Sequence, residues 1–200
     1  MSLLRNLILV PVIAGTLFSC SEQKSNPADQ YFEKGQFKEA VESYSDDLKN
    51  KPTDVNMIYN RGRSYQELGN LSEAQADFEK ALELDPSNFQ VLLSLATIQL
   101  EQKSYASALL YATKAEEISG APAMASFLKA RALHQLGMPE ESLKAYGNAI
   151  QIDKNFGQAY FNRGLLKVAL ERNKQSCEDF RLAMALEYPG ASEAFQKYCK

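Results

Sequence analysis

Apolar positions along the chain follow two patterns. From Leu7 to Phe18 they run almost unbroken, interrupted only by Pro11, Gly15 and Thr16, and Arg5 is the single charge before Glu22. That is about twelve residues, short of the roughly twenty a helix needs to cross a bilayer. The stretch has no polar face, and a short apolar core behind one positive charge is laid out like a secretory signal. Further on, the pattern recurs every 34 residues. Its clearest window, Val55 to Asn88, carries Gly62, Tyr65, Gly69, Ala74, Phe78, Ala81 and Pro86.

Sliding that window by 34 in both directions keeps the phase. Place 8 reads Ala28, Gly62, Ala96, Ala130 and Gly164, and place 20 reads Ala40, Ala74, Ala108, Ser142 and Ser176. Place 24 reads Tyr44, Phe78, Ala112, Tyr146 and Phe180, and place 27 reads Asp47, Ala81, Ala115, Ala149 and Ala183. The windows 21–54, 55–88, 89–122, 123–156 and 157–190 follow without insertion. Such a pattern predicts two antiparallel helices per window. Small residues at places 8 and 20 let the backbones approach, an aromatic at place 24 fills the space above, and place 27 admits the next unit. No single hairpin buries its apolar face alone, so the units must stack.

Local signals agree. Asn70 with Glu73 is laid out as an N-cap and capping box, Pro139 suits a first helical position, and Pro52 and Pro86 stop helices. Pro27 shortens the first helix of the first window to roughly Ala28–Lys34. The third window, with Gln99 and Ala112 at aromatic places and Gly120 and Pro122 at its exit, is expected to pack loosely and bend. Lys167 and Asn173 stand at apolar places of the fifth window, as suits a solvated end. Beyond Tyr188-Pro189-Gly190, the apolar Ala194, Phe195 and Tyr198 suit a capping helix over residues 191–200. Cys177 and Cys199 then face each other across an antiparallel pair. They form either a disulfide or two buried thiols, and a Cα separation beyond about 7 Å would reject the bond.

The segment from Tyr59 to Pro86 resembles the tetratricopeptide repeat. That resemblance implies an all-α, right-handed superhelix of antiparallel helix pairs, an α-solenoid over residues 29–190 with the first window partial. It also implies a concave groove lined by places 2, 5, 6, 9, 12 and 13 of each first helix. Here the groove then contains Asn56, Tyr59, Asn60, Arg63 and Gln66; Gln90, Leu93, Thr97 and Glu101; Phe127, Arg131 and His134; and Gln158, Phe161, Asn162 and Leu165. Amides at Asn60 and Asn162 suit a peptide backbone, Tyr59, Phe127 and Phe161 offer flat apolar contact, and Arg63 and Arg131 suit carboxylates. The alternative for each is a solvated residue with local partners. The family's chaperone-carboxylate clamp is not matched: only Arg131 lands on a clamp place, and Tyr59 and Phe127 stand where its lysines would be.

Leu17-Phe18-Ser19-Cys20 resembles the bacterial lipobox. The resemblance implies a signal peptide over 1–19, acyl chains including palmitate-type ones on Cys20, and a tether through residue 28. Ordinary signal cleavage wants small residues one and three before the cut, and Leu17 or Phe18 would occupy the outer place. Two or three acyl chains hold firmly where one holds marginally. Ser21 after the cysteine resembles an outer-membrane address, with periplasmic or surface exposure left open.

Composition narrows the function classes. With 22 Lys plus Arg against 25 Asp plus Glu, net charge −3, nothing suggests a nucleic-acid surface. One His, no Cys-x-x-Cys and no Gly-rich phosphate loop leave no recognisable metal, cofactor or catalytic set. The reading is a non-enzymatic, membrane-anchored scaffold that binds a protein or extended peptide in the cell envelope. The alternative is a structural subunit of an outer-membrane assembly or a secretion or pilus machine.

Overall fold

The computed structural model describes residues 26–199. The apolar stretch 7–18, Cys20 and most of the tether lie outside the described residues. Within them are eleven helices: α1 (Pro27–Glu33), α2 (Phe37–Asn50), α3 (Val55–Glu67), α4 (Leu71–Leu84), α5 (Phe89–Glu101), α6 (Tyr105–Glu117), α7 (Ala123–Gln135), α8 (Pro139–Ile152), α9 (Gly157–Ala169), α10 (Asn173–Ala185) and α11 (Ala191–Tyr198). Helices adjacent in sequence pack on one another throughout. The first helices of full repeats begin at Val55, Phe89, Ala123 and Gly157, and the second at Phe37, Leu71, Tyr105, Pro139 and Asn173. Both series keep the interval of the sequence. Pro27 delays α1, which has 7 residues against 13 in α3.

Each turn from first to second helix closes in the same way. Gly35, Gly69, Lys103, Gly137 and Glu171 adopt left-handed φ values of 71°, 78°, 60°, 74° and 59°. The next residue's N–H then reaches back into the helix, as from Asn70 to the Tyr65 carbonyl at 2.9 Å and from Ser104 to Gln99 at 2.8 Å. This is the Schellman closure. Asn70 does take the N-cap place of α4, but the expected capping box does not form, since its side chain makes no cap bond. The closure holds its ψ at 68°, whereas Asp54 and Asn88, at ψ 102° and 94°, do cap α3 and α5. Side-chain capping needs that more extended backbone. Lys103 and Glu171 are β-carbon residues in a conformation suited to glycine. Lys103→Gly is therefore expected to raise stability by about 1 kcal/mol, read as a higher denaturation midpoint.

The repeating small and aromatic positions form the core. Every residue at places 8, 20, 24 and 27 is buried except Asp47, which accepts a 2.9 Å hydrogen bond from Asn26. Residue size at place 8 follows the ring at place 24. A β-carbon on Gly62 would lie 2.8 Å from Phe78, and one on Gly164 the same distance from Phe180. Ala28 and Ala130 instead face repeats whose ring is Tyr44 or Tyr146, and Ala96 one whose partner is Ala112. Gly62→Ala is thus expected to destabilise by about 2 kcal/mol despite alanine's helix preference, as calorimetry would show. Ala112 is itself buried, in a cluster that also holds Leu100, Leu109 and Tyr111. Gln99 is buried too, and its amide donates to Gln75 at 3.2 Å.

Arg61 and Asp77 in repeat 2, and Arg163 and Asp179 in repeat 5, make the same two-pronged clasp between the helices of their pair. The distances are 2.8 and 2.7 Å in the former and 3.0 and 2.6 Å in the latter. Lys167, expected at a solvated end, adds a second cation to Asp179 at 2.8 Å and is largely covered. Its aliphatic stem lies where an apolar residue would, while its ammonium finds a carboxylate. Asn173 is exposed. Between repeats 3 and 4, Glu116 takes hydrogen bonds from Ser126 at 2.5 Å and Lys129 at 2.6 Å. These outweigh desolvation and hold its carboxyl below the ordinary range. At the C-terminus α11 buries Ala191 and Ala194, and Tyr198 stacks on Phe180 at 6.1 Å. Cys177 and Cys199 are joined by a disulfide with Cα atoms 5.5 Å apart, inside the geometric limit.

Candidate functional site: the concave groove

The groove positions divide into two halves with different chemistry. In the N-terminal half, Asp29, Tyr44 and Asn60 satisfy one another. Asp29 of α1 accepts from the Tyr44 hydroxyl at 2.5 Å and from the Asn60 amide at 3.4 Å. Burial, with help from Asp29, pushes the Tyr44 phenol well above its ordinary value. Arg63 lies over the Phe32 ring, 4.7 Å from its centroid. Further along, Thr97 donates back to the Leu93 carbonyl at 2.9 Å, while Asn56 and Gln90 are exposed. Gln66 is half-buried.

The place 5 aromatics are less available than their sequence positions imply. Phe127 belongs to the core: it is 2 % exposed, with ring centroids of Phe156 and Tyr146 at 4.9 and 5.8 Å. Tyr59 and Phe161 are half-buried and pack on the place 24 rings of their own repeats, at 5.6 Å to Phe78 and 6.0 Å to Phe180. A first-helix aromatic set over a second-helix ring buries its face against that ring, which removes Phe127 from the groove lining.

In the C-terminal half the groove opens. A cleft of about 340 Å³ lies among α5, α7, α8 and α9, where Glu101, Arg131, His134 and Asn162 converge. Its wall is completed by residues outside the sequence-derived groove set, chiefly Lys103, Tyr105 and Tyr146. Lys103 joins this wall from the left-handed turn that follows α5. Tyr146 sits at place 24, a place otherwise occupied by core. Burial pushes its phenol well above the ordinary value, and nearby Arg131 partly opposes that. Neither Arg131, Lys103 nor Glu101 joins an ion pair among the described residues. Gln158 and Leu165 are half-buried nearby on α9, and the Gln158 carbonyl accepts from Asn162 at 2.8 Å.

A second, more apolar cleft of about 420 Å³ lies between α6 and α8, with Leu109, Leu133 and Ala145 in its wall and Glu141 and Lys144 beside them. Among the described residues, no cluster of three His, Cys, Asp or Glu side chains could hold a metal. No described helix is long and apolar enough to cross a membrane.

Comparison with known proteins agrees with this fold. Family models described as tetratricopeptide repeat match residues 59–122 and 125–156. Hsp70-Hsp90 organizing protein 3 of Arabidopsis thaliana is 35 % identical over 89 residues, covering 44 % of this chain and 16 % of that protein. The chain thus spans a small part of that relative's length. Among solved structures, PilW, a type IV pilus biogenesis factor, superposes with a TM-score of 0.74 at 17 % identity, covering 86 % of both chains. YrrB, described as a tetratricopeptide-repeat protein with an unusual peptide-binding site, gives 0.70 at 22 % identity over 84 % of this chain and 88 % of its own. Residues 59–122 and 125–156 are therefore tetratricopeptide repeats, and the helix pairs on either side extend the same all-helical solenoid.

Proposed function

We propose that this protein is an interaction scaffold whose concave groove, at the cleft among α5, α7, α8 and α9, takes an extended segment of another protein. The observation that carries the reading is the contrast between the two halves of the groove. In the N-terminal half Asp29 already takes up the Tyr44 and Asn60 donors, while Arg131, His134, Lys103 and Glu101 line an open cleft without ion-pair partners among the described residues. Convergent polar groups over an aromatic floor suit a peptide whose backbone and side chains are both recognised. The chaperone-organising relative and the peptide-site description of YrrB fit a protein-binding role.

In the same proposal, acyl chains on Cys20 hold the scaffold at a bacterial envelope membrane, with the tether leading to α1. The lipobox-like Leu17-Phe18-Ser19-Cys20 supports this. Cys20→Ser is expected to release the protein from the membrane fraction, and a variant that stays membrane-bound would remove the anchor from the proposal. For the groove, photo-crosslinking side chains at His134 and at Lys144 separate the two clefts. Adducts at His134 alone support the groove; adducts at Lys144 alone would place the partner on the α6–α8 face and reject it.

A further inference from the structure

The solenoid holds two versions of one arrangement, and only one of them is complete. Place 24 is tyrosine in repeats 1 and 4 alone, and in both cases place 6 of the following repeat is asparagine: Tyr44 with Asn60, and Tyr146 with Asn162. In repeat 1 these two donors converge on a carboxylate supplied by the chain itself, Asp29, at 2.5 and 3.4 Å. Asp29 stands at place 9. The same place in repeat 4 is Arg131. The second arrangement therefore keeps both donors, gains a cation and lacks the acceptor.

Tyr146 shows the consequence. Its ring is buried, the residue being 1 % exposed, and its hydroxyl makes no hydrogen bond to a described residue; since no fully buried polar side-chain atom among them lacks a partner, that hydroxyl is the part that opens onto the cleft beside Arg131. A phenol with a buried ring and an open hydroxyl offers that hydroxyl to a ligand. Asn162 has one amide hydrogen committed to the Gln158 carbonyl at 2.8 Å, leaving the other. Lys103 and His134 add donors on the same wall, and Glu101 is its one carboxylate.

We propose that Tyr146, Arg131 and Asn162 form a carboxylate subsite within the cleft, which takes an acidic side chain or the terminal carboxylate of a bound peptide. The subsite deepens the groove reading and rests on it for its biological ligand. Its chemistry is that of repeat 1 with the carboxylate coming from outside: a neutral O–H donor, an amide donor and a guanidinium around one anion. A hydrogen bond to a charged acceptor is stronger than a neutral one, so the phenol contributes to affinity as well as to orientation.

The first test needs no peptide. Arg131→Asp recreates repeat 1 and is expected to denature at a higher temperature than Arg131→Asn. Adding Tyr146→Phe should abolish that difference, because the new carboxylate loses its donor. Absence of any coupling between positions 131 and 146 would overturn the geometry. Acetate is the second probe, followed by the Asn162 side-chain amide resonance in the full chain. Tyr146→Phe is expected to weaken acetate binding about tenfold, and Tyr44→Phe to leave it unchanged. Equal binding by the Tyr146→Phe variant and the unaltered protein would also overturn the subsite.

Three heptapeptides then separate the sources: one glutamate with an amidated end, glutamine with a free end, and glutamine with an amidated end. Preference for the first or the second identifies the side-chain or the terminal carboxylate. Equal binding of all three would remove the subsite and leave the groove reading standing. Coupling and acetate binding without affinity for any peptide would keep the subsite and count against the groove.

Discussion

Asp179→Ala is expected to lower stability by about 3 kcal/mol. The carboxylate is 1 % exposed and holds two cations from α9: Arg163 through both oxygens, and Lys167 at 2.8 Å. Removing it leaves both charges largely covered beside a cavity, and a buried charge without its partner is far more costly than the intact pair is stabilising. Asp77→Ala breaks the equivalent clasp in repeat 2, where Arg61 is the sole cation among the described residues, and should cost less. Because each repeat contacts mainly its neighbours, the loss should appear first as local unfolding of α9, α10 and α11. Urea denaturation with hydrogen exchange checks this. A change below 1 kcal/mol, or uniform loss of protection along the array, would contradict it.

Reducing the Cys177–Cys199 bond is expected to be the next largest change. The cysteines are 22 residues apart, and the chain-entropy treatment of a loop that size gives about 3 kcal/mol. α11 has 8 residues, too few to be stable as an isolated helix, so it depends on packing and on the bond. A dithiol reductant, or paired Cys177→Ser and Cys199→Ser, should therefore release α11 and expose Phe180, which now stacks on Tyr198. Amide exchange should accelerate in α11 and α10 while α3 to α6 stay protected. If α11 keeps its protection after reduction, the cap is held by packing alone.

Much of the fold was legible because it is built from local units. Interval and phase followed from small residues recurring at places 8 and 20, since close helix approach excludes anything larger. Pro27 and Pro139 marked real helix starts, because proline tolerates only the first turn. The Asn70 capping box failed because its side-chain pattern was read without the turn before it. A Schellman closure sets the backbone there, whatever residue follows. Lys167 was read as a solvated end residue because its partner, Asp179, lies on the next helix.

The site was less legible than the fold. Helical periodicity says which side of a helix faces the groove, but not whether a second helix covers it. Phe127 is on the groove side of α7 by periodicity, yet the Tyr146 and Phe156 rings cover it. Tyr146 is the converse case. Place 24 is a core position, and only its hydroxyl reaches the cleft. The recurrence of tyrosine at place 24 with asparagine at the next place 6 was visible in the chain, but its meaning required seeing Asp29 held in repeat 1.

What the chain determined unaided is the paired-helix unit, its interval and its stacking, because these follow from side-chain size and helix-stopping residues within one window. Tertiary structure alone decided which half of the groove closes on itself, which aromatics serve the core, and where donors stand without an acceptor. Those outcomes depend on side chains some 13 to 31 residues apart meeting across helices, and no local pattern encodes such distances.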